Sequence, residues 1–222
     1  SNTLPLPLFA CGETHDTPRL AAREGNEVLS KMLTVLNMFM PNGVPFINSG
    51  QEVFERQPMN LGLDSRENEE YNLSVNDPYN GKLALFDKYQ FHYTNNRRWE
   101  LPDILDSLKP IRKKWLKELT NNKSFEPIYS DGNSQTFIGL AYYKRTKTNK
   151  DNVLIIMANG NPYHEVYLKP NIEIIRSLSH NGEESGRLLF STHEGPRSFS
   201  QIINHNILDI HLGAGEVKII SL

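Results

Sequence analysis

The sequence predicts an α/β segment joined to an all-β module, with the boundary near residue 122. Three observations carry that expectation. Two short apolar runs, Leu6 to Ala10 and Val44 to Ile47, flank a stretch whose apolar residues recur at helical spacing. A second helical stripe begins at about Pro102. After Asn122 the pattern changes to short β runs separated by turn clusters, the spacing of an antiparallel sandwich or barrel.

The first run is continuously apolar, which predicts a strand covered on both faces, as in a parallel sheet. Thr17 and Pro18 suit the N-cap and first turn of a helix. Val28, Met32, Val35, Leu36 and Phe39 extend that helix on one stripe to about five turns, stopped by Pro-Asn-Gly at 41–43. Strand, helix and strand then form a βαβ unit with parallel neighbours. Working residues in such sheets lie just past the strands' C-terminal ends. Here those ends carry Glu13, His15 and Asp16 after the first strand and Glu52 after the second.

Residues 53–98 form a long polar excursion at that same end, the place of a binding loop. Within it, 82–93 suits a short helix or a strand equally. The next helix carries Ile104, Leu105, Leu108, Ile111, Trp115 and Leu119 on one stripe, with Pro110 expected to kink or split it. The β module then runs through segments such as "TFIGLAYYKR", "NVLIIMANG", "EVYLK", "IEIIRSL", "ILDIHL" and "EVKIISL".

Composition narrows the function classes. The net charge is −2 with both signs interspersed, and Arg112, Lys113, Lys114 and Lys117 form a solvated helix face, so no nucleic-acid partner is expected. No apolar run is long enough to span a bilayer, so no membrane partner is expected. The single Cys11 excludes an intrachain disulfide, and its apolar setting predicts a buried thiol. Seven scattered histidines supply no metal-ligand spacing, so neither metal nor cofactor is expected in this chain. The chain opens Ser-Asn without an initiator Met, as tag cleavage would leave it, and the compartment stays open. Two parallel strands with two helices cannot bury both faces of a sheet, so the α/β part is expected to continue in a longer protein or another chain.

"FACGETHDTPRLA" resembles the signature of the α-amylase family, glycoside hydrolase family thirteen, in which an apolar strand ends in His-Asp. "GVPFINSGQE" resembles that family's eighth-strand signature, a Gly-x-Pro run closing in Gly-x-Glu. The last helix with Arg112 to Trp115 and the β tail fit the same order. Two departures stand out: Thr14, where the family more often has Asn, and a longer, more acidic stretch, "ERQPMNLGLDSRENEEYN". The resemblance implies the last two βα units of a TIM-type (β/α)8 barrel over 1–122, then an antiparallel β-sandwich over 123–222. It implies part of a retaining glycosidase or glucanotransferase acting on an α-glucan or maltooligosaccharide, with calcium possible in the parent enzyme.

Retaining chemistry needs two carboxyl groups roughly 5 Å apart, a nucleophile and a general acid. The family's Gly-x-Arg-x-Asp nucleophile stretch is absent from this sequence, and both groups are expected upstream of residue 1. The resemblance maps the family's third carboxylate to Asp16, with His15 beside it. These are the candidate catalytic residues, as acceptor and donor to the hydroxyls of a flattening sugar ring. The alternative is a pair that caps the helix and satisfies itself. Arg19 and Glu52 are candidate substrate contacts. For Arg19 the alternative is an ion pair with Asp16 or Glu13, and for Glu52 a hydrogen-bonded carboxylate at the barrel mouth. Tyr71, Tyr79, Phe86, Tyr89 and Tyr93 are stacking candidates or a local core beneath the loop. A second reading makes the chain a carbohydrate-binding module resting on Tyr142, Tyr143, Tyr163 and Tyr167. The incomplete barrel is further expected to expose apolar surface through which the chain self-associates.

Overall fold

A computed structural model describes residues 7–60, 73–87, 99–130, 135–144, 152–173, 185–194, 197–200, 203–204, 207–208 and 210–222. The α/β segment opens with β1 (Leu8–Ala10), followed by a 3-10 turn at Leu20–Ala22, α1 (Asn26–Asn37) and β2 (Gly43–Pro45). Strands β1 and β2 are parallel, with Phe9 opposite Val44, as a βαβ unit requires. Helices α2 (Glu100–Lys114) and α3 (Leu116–Leu119) close this part.

The helix expected from Thr17 begins instead at Asn26 and runs for 12 residues, about three turns. The reason is local. Glu13 folds back and its Oε2 accepts the Leu20 N–H at 2.7 Å, so a carboxylate caps the 3-10 turn in place of Thr17. Gly25, at φ 88°, then re-aims the chain into α1. Pro110 does not split the second helix. The break falls at Trp115, whose φ of −107° and ψ of 11° separate α2 from α3. Arg112 does more than face solvent: it donates to the Met38 carbonyl after α1 and to Gly43 O at 3.0 Å, tying α2 to the start of β2.

Among the described residues the β module has ten strands: β3 (Phe125–Ile128), β4 (Phe137–Tyr143), β5 (Val153–Asn159), β6 (Val166–Leu168), β7 (Ser185–Ser191), β8 (Arg197–Ser200), β9 (Ile203–Asn204), β10 (Ile207–Leu208), β11 (Ile210–Leu212) and β12 (Val217–Ser221). Six of them form an antiparallel sheet in the order β3-β4-β5-β12-β7-β8. Strands β6 and β11 pair separately, as do β9 and β10. Most of "IEIIRSL" lies outside the described residues.

Alternation along the central strands sorts side chains into two cores. Leu140 and Tyr142, Leu154 and Ile156, and Val217 and Ile219 pack with Met32, Leu36, Phe39, Leu108, Trp115 and Leu119. Their neighbours Ala141, Tyr143, Val153, Ile155, Met157 and Ile220 pack on the other face with Leu168, Ile210 and Leu212 of the β6–β11 ribbon. One core therefore crosses residue 122, welding helices to sheet. The seam is tight: a Cβ on Gly215, at φ 59°, would lie 2.3 Å from Val28 Cγ1.

Among the described residues the β1–β2 pair is covered only in part. Leu8 and Phe9 are 54% and 72% exposed, so the continuous apolar run is not buried on both faces. Phe9, Val44 and Phe46 share one face, with the two phenyl rings edge-to-face at 5.9 Å. Cys11 is likewise exposed, against the buried thiol expected, because it lies at the open end of β1. Among the described residues no helix is long and apolar enough to cross a membrane.

Inside the crossing core, the Tyr142 hydroxyl donates to Phe39 O. Burial pushes that hydroxyl well above the usual tyrosine range and outweighs the opposing pull of nearby Arg112. A raised folded-state value means that stability is intact below the ordinary value of 10.0 and falls as pH climbs past it. Tyr142→Phe should cost about 1–2 kcal/mol at neutral pH and flatten the alkaline decline, read by urea unfolding between neutral and strongly alkaline pH. An unchanged alkaline slope would refute this assignment.

Candidate functional site

The C-terminal ends of β1 and β2 converge on a buried polar network. Arg19 Nη1 lies 2.8 Å from Glu13 Oε1, with side-chain exposures of 0% and 1%. The guanidinium also donates to Ser49 O at 2.7 Å and Gln57 O at 2.9 Å. Asn48 donates to Glu13 at 3.1 Å, and Gln51 Nε2 donates to Thr34 Oγ1 of α1 at 2.7 Å. One ion pair thus joins the loop after β1 to both halves of the loop after β2. Removing water from two charges is expensive, and these extra hydrogen bonds offset that cost. The loop after β2 turns at Gly50, in the left-handed region at φ 95°, and closes at Phe54, a buried residue also held left-handed at φ 57°. A bulky side chain there is an uncommon backbone choice, sustained by the surrounding packing.

Above this network stand His15 and Asp16. The turn that carries them is closed by Thr14 N–H donating to Thr17 Oγ1 at 2.9 Å, and by Asp16 N–H donating to Thr14 Oγ1 at 3.2 Å. His15 Nε2 is 3.1 Å from Asp16 Oδ2, and the side chains are 64% and 48% exposed. Asn60 Nδ2 donates to Asp16 Oδ1 at 3.0 Å. Asp16 is thus oriented on both oxygens yet open to solvent, with lone pairs left to accept from a ligand. The pair does satisfy itself but caps no helix, since α1 starts at Asn26.

The other two candidates lie differently. Arg19 is fully buried and takes the ion-pair arrangement with Glu13, so its guanidinium has no open route to a sugar. Glu52 reaches back to accept the Gly50 N–H at 2.8 Å, as a hydrogen-bonded carboxylate of its own turn. Asn60, Asn48 and Gln57 were not legible beforehand. Asn60 and Gln57 lie in the 53–98 loop and Asn48 in the "GVPFINSGQE" run before it, and Gln57 takes part through its backbone carbonyl, which no residue type announces.

Among the loop aromatics, Phe86 is exposed and Tyr79 half-buried, while Tyr71, Tyr89 and Tyr93 lie outside the described residues. Residues 82–87 form turns, neither helix nor strand; 88–93 lie outside the described residues. Of the β-module tyrosines, Tyr142 and Tyr143 are buried in opposite cores, whereas Tyr163 and Tyr167 are exposed. Among the described residues no group of three His, Cys, Asp or Glu side chains is placed to hold a metal ion.

No protein-family model matches the chain, and no curated protein sequence matches it. Solved structures do. A pullulanase from Anoxybacillus sp. LM18-11 complexed with maltotetraose superposes with a TM-score of 0.57 at 14% identity, over 94% of this chain and 27% of its own. AmyP in complex with maltose gives 0.61 at 11% identity, over 94% and 39%. A γ-cyclodextrin glucanotransferase from alkalophilic Bacillus clarkii gives 0.53 at 15% identity, over 95% and 25%. The chain therefore spans between 25% and 39% of the length of these three.

Breaking the buried pair from one side should be severe. Glu13→Ala is expected to lower stability by about 3–5 kcal/mol, because it strands a buried guanidinium, whereas Asp16→Asn, half-exposed, should cost less than about 1 kcal/mol. Urea unfolding of both variants tests this, and equal losses would contradict the assignment of the network. At these identities the likeness concerns fold, and the chain has a fold like that of α-amylase-family enzymes.

Proposed function

We propose that the chain is the C-terminal part of a retaining α-glucan hydrolase or glucanotransferase, built as the last two βα units of a (β/α)8 barrel with an antiparallel β-sandwich domain. The observation that carries this reading is Asp16. It is an exposed carboxylate, oriented by His15 and Asn60, at the C-terminal mouth of a parallel strand pair in a fold shared with enzymes crystallised with maltooligosaccharides. Arg19 acts through Glu13 as a positioning residue, and Glu52 shapes the Gly50 turn.

The chemistry follows from charge. As a glycosidic bond breaks, the ring flattens toward an oxocarbenium ion and its hydroxyls become stronger donors. An Asp held ready to accept them binds that state more tightly than the ground state. The role assigned to His15 in this reading is to hold Asp16 through Nε2 beside the same sugar. The nucleophile and general acid belong to the part of the barrel preceding this chain, so the 222 residues alone should not turn over substrate. The competing reading, a binding module resting on the β domain, gains little from Tyr142 and Tyr143, which are buried.

Two outcomes are expected. In a protein extended upstream to the full barrel, maltoheptaose should be cleaved or transferred, and Asp16→Asn should lower kcat by about 10²–10³-fold with smaller change in KM. Turnover insensitive to that substitution would refute the assignment. Alone, the chain should self-associate through Phe9, Val44 and Phe46. Sedimentation velocity should show concentration-dependent association that Phe9→Ser with Val44→Ser abolishes; a wild-type monomer at all concentrations would count against it.

A further inference from the structure

The outer face of the β6–β11 ribbon carries a pair of stacked rings that the Asp16 site does not use. Val166, Leu168, Ile210 and Leu212 point inward to the second core, so alternation turns Tyr167 and His211 outward. The two are direct cross-strand partners. Their rings stack with centroids 4.6 Å apart and planes 25° from parallel. Tyr167 is nonetheless 72% exposed, which leaves the ring face opposite His211 open to solvent. His211 is fixed from two sides: its Nε2 is 2.9 Å from Glu165 Oε2, and its carbonyl accepts from Lys218 Nζ at 2.9 Å.

We propose that this face is a second sugar-binding platform, holding one glucose unit of an α-glucan chain by stacking on Tyr167. The proposal rests on the α-glucan reading given above. An exposed aromatic ring that stays rigid in the free protein loses little entropy when a pyranose lays its C–H face upon it. Glu165, 59% exposed, has lone pairs to accept from ring hydroxyls, and the adjacent exposed Lys169 can donate. Lys218 is 2.9 Å from Glu194, and Glu165 and Lys169 set one acidic and one basic group beside Tyr167, a mixed polar rim that suits a neutral polyhydroxylated ligand. The platform would tether a glucan chain to the β domain while another stretch of it occupies the barrel mouth.

The test is an amide NMR titration of the chain with maltoheptaose, with cellohexaose as the β-linked control. Saturating shifts are expected at 165–169 and 210–212, weakened about tenfold or more by Tyr167→Ala and unchanged by Asp16→Asn. Glu165→Gln, which keeps the shape of the side chain, should weaken them several-fold and guards against a folding defect in the alanine variant. Shifts confined to residues around Asp16 would overturn the platform while leaving the enzyme reading standing. An equal response to cellohexaose, or none to maltoheptaose at about 10 mM, would also overturn it, and the extended-barrel assay then decides the enzyme reading separately.

Discussion

Strand β5 is buried along its whole length, on both faces, and the rest of the molecule is arranged around that constraint. Each of its large side chains contributes roughly 1.5–3 kcal/mol only while both faces stay covered. One cover is the β6–β11 ribbon; the other is the helix pair α1 and α2, with α3. The helices therefore cannot leave the β module without exposing its core. Nor can the module leave the helices, since Met32, Leu36, Phe39 and Trp115 have their partners on the sheet. Arg112 and Tyr142 reinforce the seam by donating to backbone carbonyls at the end of α1.

With α1 anchored on the sheet, the strands it connects inherit a fixed position, and so does the polar network at their ends. Glu13 and Arg19 bind loops distant in sequence and set a rigid floor beneath the turn of His15 and Asp16. The division of labour is between buried and exposed charge. The buried pair is satisfied internally and holds geometry, while the exposed carboxylate keeps acceptor capacity for a ligand. Orientation by neighbours that stay in place is what lets such a carboxylate favour a transition state over a ground state.

The surface divides in a matching way. Leu8, Phe9, Val44 and Phe46 leave exposed apolar surface at β1 and β2, and Tyr167 with His211 leaves an exposed ring pair on the β6–β11 ribbon. The first is, among the described residues, a two-stranded parallel pair; the second is a ribbon whose outward rings stack on each other.

Much of the architecture was legible without coordinates, because it follows from periods. The stripe from Ile104 to Leu119 marked a helix, and the β runs of the module marked a sheet whose strands alternate between two cores. His-Asp at the end of an apolar run marked the candidate site, and the two side chains do lie together there. What the sequence could not determine were interactions whose partners lie far away along the chain. Glu13 and Arg19 are ordinary polar residues until Asn48, Ser49 and Gln57 fold over them. Asn60 reaches Asp16 from another loop, and His211 meets Tyr167 from another strand. The start of α1 has a local cause instead: Thr17 is a capping residue type, but the Glu13 carboxylate takes the Leu20 N–H and α1 begins only at Asn26. Patterns of hydrophobicity act on neighbours and can be read in order. Desolvation, which decides whether a charge holds a loop or meets a substrate, belongs to the tertiary structure alone.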